Sequence, residues 1–350
     1  MLNNNVEHNQ IQSVMALFCV DDAVSGIEKI TIGRINTTYK VHTSERIYIL
    51  QMINTHVFKL PESVMENMHR ICNYALANSD NIEFVRLLYT RDGSCFVRAY
   101  NHIWRCTLFI PNSRNAKIGT TNFMGAGQII GLFHRIFWCF PCKSLNYTIK
   151  DFHAPRARFD CFVKALEQNP KGNNKISFLT GELLDRETAM HDMLGEVKKL
   201  NLPVRVTHND TAFSNILFDA LSNEPLCLID LDTVMPGYIM YDFGDALRDS
   251  FSYMTGNENE SVKHFINGFM SQLCQLLSKE EKESLYYGAW LITFELALRF
   301  LTDYLEGDLY FQISYPTQNL DSAMIQFDTL LKIESLRDFI RDSICEYPPE

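Results

Sequence analysis

Short apolar runs alternate with polar turns along the first third of the chain. Residues 27–32 read as a strand, followed by a polar turn from Gly33 to Thr38. Residues 39–42 and 46–53 follow as β-branched and aromatic runs, so an antiparallel meander is expected. From Pro61, the residues Val64, Met68, Ile71 and Leu76 recur near helical spacing, and a proline suits a first helical turn. Residues 83–89 and 94–99 read as strands joined by the turn Arg91-Asp92-Gly93. A last apolar run, 104–110, stops at Pro111.

Beyond it the period changes. Residues 125–140, 157–168, 181–200, 261–277, 279–305 and 321–344 read as helices, with one compact β-like insertion over 205–232. The pattern predicts an α+β protein of two lobes. Residues 1–110 would form a small β-rich lobe with one helix, and residues 111–350 a larger, mostly helical lobe.

Composition narrows the class. A chain of 350 residues is long enough for two apolar cores, and 46% hydrophobic with 21% charged residues is ordinary globular usage. The net charge of −10, without a Lys/Arg run, argues against nucleic acid as a partner, because that affinity rests on clustered cations. The N-terminus lacks a signal-peptide pattern. The most apolar stretches are broken by His134, Arg135, Glu295 and Arg299, and fall short of the roughly 20 residues that a span requires. A cytoplasmic protein without membrane contact is expected. Ten scattered cysteines read as reduced and mostly buried, and the single C-x-x-C pair, Cys139 and Cys142, has no second pair to complete a zinc site.

The segment from Thr207 to Phe218 carries the chemistry. It reads H-x-D-x4-N before an apolar strand, with His208, Asp210 and Asn215 at the fixed positions. A second apolar strand ends in Ile229-Asp230. Phosphoryl transfer needs positioning and charge neutralisation more than covalent help. Magnesium takes hard oxygen ligands and keeps several waters, so one amide oxygen (Asn215) and one carboxylate (Asp230) suffice. Asp210 is then free to accept the acceptor hydroxyl's hydrogen bond and its proton.

These motifs resemble the aminoglycoside phosphotransferase and choline kinase superfamily, relatives of protein kinases, over nearly the whole chain. The segments 33–41, 49–54, 227–237 and 241–248 are similar to its N-acetylhexosamine 1-kinases. The resemblance implies a protein-kinase-like bilobal fold, ATP and Mg²⁺ as cofactors, and a small-molecule sugar as acceptor. Carried over by position, Asp210 matches the catalytic aspartate and Asn215 and Asp230 the metal ligands. His208 and Asp242 match supports of the loop, while Asp232, Asp245 and Arg248 match either the pocket rim or structural ion pairs.

For the nucleotide, the resemblance points to Gly33, Thr37 and Thr38 in the first turn, which also reads as an ordinary hairpin turn. It further implies an adenine site against Phe109 and Ile110. Gln51 stands where the superfamily places a phosphate-binding lysine, and an amide cannot neutralise charge. Arg34 is one candidate for the missing cation, and Glu66 either orients the third strand or is solvated. For the acceptor, the resemblance points to Arg299 and Tyr310. Arg299 is equally spaced for surface ion pairs with Glu295 and Asp303. The acidic group Asp242, Asp245 and Asp249 keeps a cationic acceptor open, and Gln51 a catalytically silent nucleotide binder.

Overall fold

The computed structural model describes residues 2–20, 22–30, 35–79, 82–169, 172 and 174–347. The chain begins with a helix that the apolar pattern did not announce, α1 (Leu2–Met15). Three strands follow: β1 (Val24–Ile30), β2 (Thr37–Thr43) and β3 (Ile47–Met52). Then come α2 (Pro61–Asn78), β4 (Val97–Ala99) and β5 (His102–Leu108). The strands form one antiparallel sheet in the order β1-β2-β3-β5-β4.

Alternation along these strands gives the sheet two different faces. Tyr39, Val41, Tyr48, Leu50, Trp104 and Cys106 pack with Ile11, Val14 and Met15 of α1 and with Phe18. The other face turns toward α2. Residues 83–89 are not a regular strand. Phe84 and Val85 are both buried, which breaks the alternation, and only a bridge from Leu87 to Thr107 joins them to β5.

The second lobe opens with β6 (Ser113–Asn115), α3 (Phe123–Ile136), α4 (Pro155–Gln168), α5 (Asn174–Asp185) and α6 (Glu187–Lys199). The helix expected over 181–200 is therefore two helices. The break is at Arg186, whose guanidinium reaches across to Glu334. The β insertion is present as β7 (Arg205–Thr207), β8 (Ile216–Asp219), β9 (Pro225–Leu228) and β10 (Met235–Gly237). Antiparallel pairing joins β7 to β10, and orders the other three as β6-β8-β9.

Five helices complete the lobe: α7 (Ile239–Ser250), α8 (Glu258–Leu273), α9 (Lys279–Glu306), α10 (Gln318–Ser335) and α11 (Arg337–Cys345). The last expected helix is thus also divided, at Leu336. Ser278 and Glu281 form a capping box at the start of α9, and Gly307 (φ 99°) ends it in the left-handed region. α7 crosses α9 closely. A Cβ on Gly244 would lie 2.4 Å from the Gly288 backbone, so only glycine allows that approach. This small antiparallel-sheet lobe on a helical lobe is the expected fold class.

Candidate functional site

β7 delivers the chain into a loop that α7 holds from below. Asp242, in the first turn of α7, accepts 2.7 Å hydrogen bonds from the backbone N–H groups of His208 and Asn209. His134 of α3 stands 3.1 Å from the same carboxylate. Burial alone would raise the Asp242 pKa. Its close contact with His134 and the N–H bond from His208 hold it below the usual carboxylate range. The His208 ring spans the loop, its Nε2 3.1 Å from the Ile229 carbonyl and its Nδ1 accepting from the Asp210 N–H at 3.3 Å. Burial lowers its pKa, so the neutral Nε2–H tautomer fits both bonds.

The loop presents Asp210 toward the β8–β9 hairpin. Asn215 Nδ2 donates to the Asp210 carbonyl at 3.0 Å, which leaves the Asn215 amide oxygen as its outward acceptor. The Ile229 N–H donates to the Asn215 carbonyl at 2.9 Å, so the hairpin seats Asn215 beside Asp230. Asp230 adopts φ 64° and ψ 65°, a left-handed conformation that asparagine and aspartate tolerate better than most residues.

Three like charges meet here. Burial raises the Asp210 pKa well above the carboxylate range, and Asp245 and Asp230 push the same way against Asn215 and Arg248. Asp230 is pushed up to about 6, first by burial and then by Asp232, with Arg105 opposing. A divalent cation would relieve that repulsion. The amide oxygen of Asn215 and the carboxylate of Asp230 are hard donors of the kind that Mg²⁺ takes. Among the described residues no group of three His, Cys, Asp or Glu side chains forms a metal cage.

On the small-lobe side, Gln51 Nε2 donates to Thr38 Oγ1 at 3.1 Å, while Thr37 is half-buried. Gly33 and Arg34 lie outside the described residues. Glu66 does not reach the third strand: it pairs with Arg70 and accepts from Asn146 at the surface. The neighbouring Asn67 is the buried tie, donating to the carbonyls of Asn146 and Val234 at 2.8 and 2.9 Å. The Phe109 N–H is committed to Ile47 in the sheet, and the Ile110 carbonyl accepts from Ser113. Among the described residues, no hydrogen bond engages the Phe109 carbonyl or the Ile110 N–H.

On the acceptor side, Arg299 and Tyr310 are brought together. The guanidinium lies 5.6 Å from the Tyr310 ring and 5.5 Å from that of Phe311. The surface ion-pair alternative is not what the structure shows. Glu295 is 1% exposed, and Asp303 is buried with its carboxylate accepting from the N–H groups of Tyr310 and Phe311. Burial pushes the Glu295 carboxyl up to about 7, against the pull of Arg299 and Arg158. His153 Nδ1 and Arg158 Nε each stand 3.9 Å from Glu295 Oε1, too far for a hydrogen bond. Asp245 Oδ2, Glu295 Oε2, Arg158 Nε and both His153 ring nitrogens are buried without a well-formed hydrogen bond. Asp245 acts electrostatically on Asp210, His153 and Glu295, so these polar atoms run from the loop that carries Asp210 toward Arg299.

The rest of the acidic group is already spent. Asp242 holds the loop, Asp249 accepts from the Phe213 N–H at 2.8 Å, and Asp245 Oδ1 is paired with Arg248 at 2.6 Å.

Residues 146–268 match the phosphotransferase enzyme family. The fold is shared with solved small-molecule kinases. A spectinomycin phosphotransferase in complex with ADP and spectinomycin is 13% identical, with 95% of this chain and 98% of that chain covered at a TM-score of 0.64. A microcompartment-associated aminopropanol kinase is 14% identical over 95% and 98%, with a TM-score of 0.68. An aminoglycoside phosphotransferase from Alicyclobacillus acidocaldarius is 15% identical over 95% and 96%, at 0.62. At these identities the likeness is one of fold. With the family match, it supports the superfamily to which the motifs pointed.

Several residues of the site escaped the sequence reading. His134 read only as an interruption of an apolar run, and Glu295 as that or as a surface ion-pair partner of Arg299; burial is what gives both a role. His153 carried no local signal. Arg105 did carry one, a lone arginine inside the apolar strand Ile103 to Leu108.

Proposed function

We propose that the protein phosphorylates the anomeric hydroxyl of an N-acetylhexosamine with Mg-ATP, giving the sugar 1-phosphate and ADP. The phosphotransfer reading is carried by one observation: Asp210, Asn215 and Asp230, 20 residues apart at most, are drawn together by the Asp242-held loop and the β8–β9 hairpin. Asp210 orients the acceptor hydroxyl and takes its proton. Asn215 and Asp230 would hold Mg²⁺, which would supply charge neutralisation at the nucleotide phosphates. His208 and Asp242 keep the loop in shape. Residues 1–110 are assigned to nucleotide binding, with Thr37, Thr38 and Gln51 toward the phosphates and Phe109 and Ile110 beside the adenine, while the expected contact at Gly33 lies outside the described residues. Residues 111–350 supply the catalytic loop and the acceptor site.

The acceptor class follows from charge. A cationic amino alcohol or aminoglycoside needs free carboxylates, and those of Asp242, Asp249 and half of Asp245 are occupied within the fold. The remaining buried atoms mix donors and acceptors beside Arg299, an arrangement suited to neutral hydroxyls and an amide. Arg299 and Tyr310 then contact the sugar. The aminopropanol kinase among the structures of similar fold supports a second reading, an amino alcohol acceptor.

A coupled assay of ADP release with Mg-ATP tests both. The proposal expects turnover with N-acetylglucosamine or N-acetylgalactosamine that choline and kanamycin leave unaffected. Turnover with amino alcohols alone would replace the sugar reading. Binding of ATP without turnover of any acceptor would leave a silent nucleotide binder.

A further inference from the structure

The buried cation of the small lobe stands on β5 rather than β3. Thr38 pairs with Gln51, and Gln51 with Arg105, in the antiparallel register. Directly opposed residues share a face of a sheet, so the three side chains form one row. The opposite face is covered by α1, which turns this row toward α2 and the large lobe. Gln51 Oε1 accepts from Arg105 Nε at 2.9 Å. Arg105 Nη1 then forms an ion pair with Asp232 Oδ1, and the other oxygen of Asp232 accepts from Asn36 Nδ2 at 2.6 Å. The Arg105 and Asp232 side chains are 1% and 3% exposed.

A charge so deeply buried persists only with a partner. Both oxygens of Asp232 are therefore gripped by the small lobe, and Asp232 is two residues from Asp230. A non-glycine residue in the left-handed region stays there only when its surroundings fix it. We propose that Arg105 is a positioning residue for a metal-bound nucleotide: through Asp232 it fixes the turn that carries Asp230, and so sets the metal-binding carboxylate relative to the small lobe. Gln51 serves this arrangement by orienting the guanidinium, which accounts for a neutral side chain at that place on the third strand. The inference rests on the phosphotransfer reading above.

Titration calorimetry of ADP, with Mg²⁺ and with EDTA, tests it on wild type, Arg105→Met, Arg105→Lys, Asp232→Asn and the double variant Arg105→Met/Asp232→Asn. Losing an outer partner of a metal ligand costs about 10- to 100-fold in metal affinity. Arg105→Met and Asp232→Asn should each weaken Mg-ADP by about that factor, with little change in metal-free ADP. The double variant should be no worse than the poorer single variant, because both cut one link. Arg105→Lys should recover part of the loss, and the KM of the acceptor should not move. If Arg105→Met does not fold, Asn36→Ala, which removes the other partner of Asp232, carries the test, with a smaller loss confined to Mg-ADP. Folded variants with wild-type Mg-ADP affinity, equal losses with and without Mg²⁺, or additive losses would each overturn the proposal. Wild type failing to bind Mg-ADP would instead bring down the phosphotransfer reading and this inference with it.

Discussion

At the residue scale, the site separates groups that act from groups that hold. Asp210 takes its elevated pKa from burial and from the carboxylates of Asp245 and Asp230. Removing its charge in Asp210→Asn should lower kcat by about 10²- to 10⁴-fold, the usual worth of a general base. ADP affinity, measured by calorimetry, should stay near wild type; an unchanged kcat would contradict the role given to Asp210.

Glu295 makes a prediction about stability. Its folded pKa of about 7 lies above the ordinary value of 4.5. The folded state therefore holds the proton longer than the unfolded chain does. Below about pH 4.5 both forms are protonated and nothing is lost. Between 4.5 and 7 the unfolded chain ionises first, so stability falls as pH rises, by up to about 3 kcal/mol near pH 8. Glu295→Gln cannot ionise and should flatten this part of the Tm profile, gaining on wild type at about pH 8 but not at about pH 5. Parallel profiles would show that Glu295 is not the buried acid described.

At the scale of elements, the helices α7 and α9 carry the geometry of the site, since α7 supplies both Asp242 and Asp245. Their approach depends on Gly244 against Gly288. Gly244→Ala should force the helices apart and cost about 1–3 kcal/mol, as overpacking commonly does. Circular dichroism melts should show a lower Tm, and activity at low temperature should fall as well because the loop moves with α7. A Tm equal to wild type would mean that the crossing is looser than described.

The same helices show what the sequence can and cannot convey. The motif at His208, Asp210 and Asn215 was legible because phosphoryl transfer needs those residue types at fixed spacing on a short loop. α9 was legible because its long apolar run keeps a helical period, and the structure adds the capping box of Ser278 and Glu281 at its start. α7 was not read as a helix, although Ile239, Met240, Phe243, Ala246 and Leu247 keep helical spacing; the structure shows it, with eleven of its twelve residues buried. α1 was missed because it has few apolar positions in an asparagine-rich opening. The break at Arg186 has no proline or glycine to announce it and coincides with the reach of that guanidinium to Glu334. Arg105 and Glu295 were visible as letters, but Asp232 lies 127 residues from Arg105, and His153 and Arg158 are as remote from Glu295.

At the scale of the whole molecule, two lobes meet along a seam that belongs to the proposed chemistry. Asn67 ties α2 to Val234, and Arg105 and Asn36 tie the small sheet to Asp232. No helix among the described residues is long and apolar enough to cross a membrane. In the proposed reaction this seam brings ATP to an acceptor hydroxyl held by Asp210. Phosphorus NMR of a reaction with Mg-ATP and N-acetylglucosamine or N-acetylgalactosamine tests it most directly. Wild type is expected to give an anomeric sugar phosphate and Asp210→Asn none. A phosphate on another position or acceptor would contradict the sugar assignment, and equal product from both proteins would contradict the site.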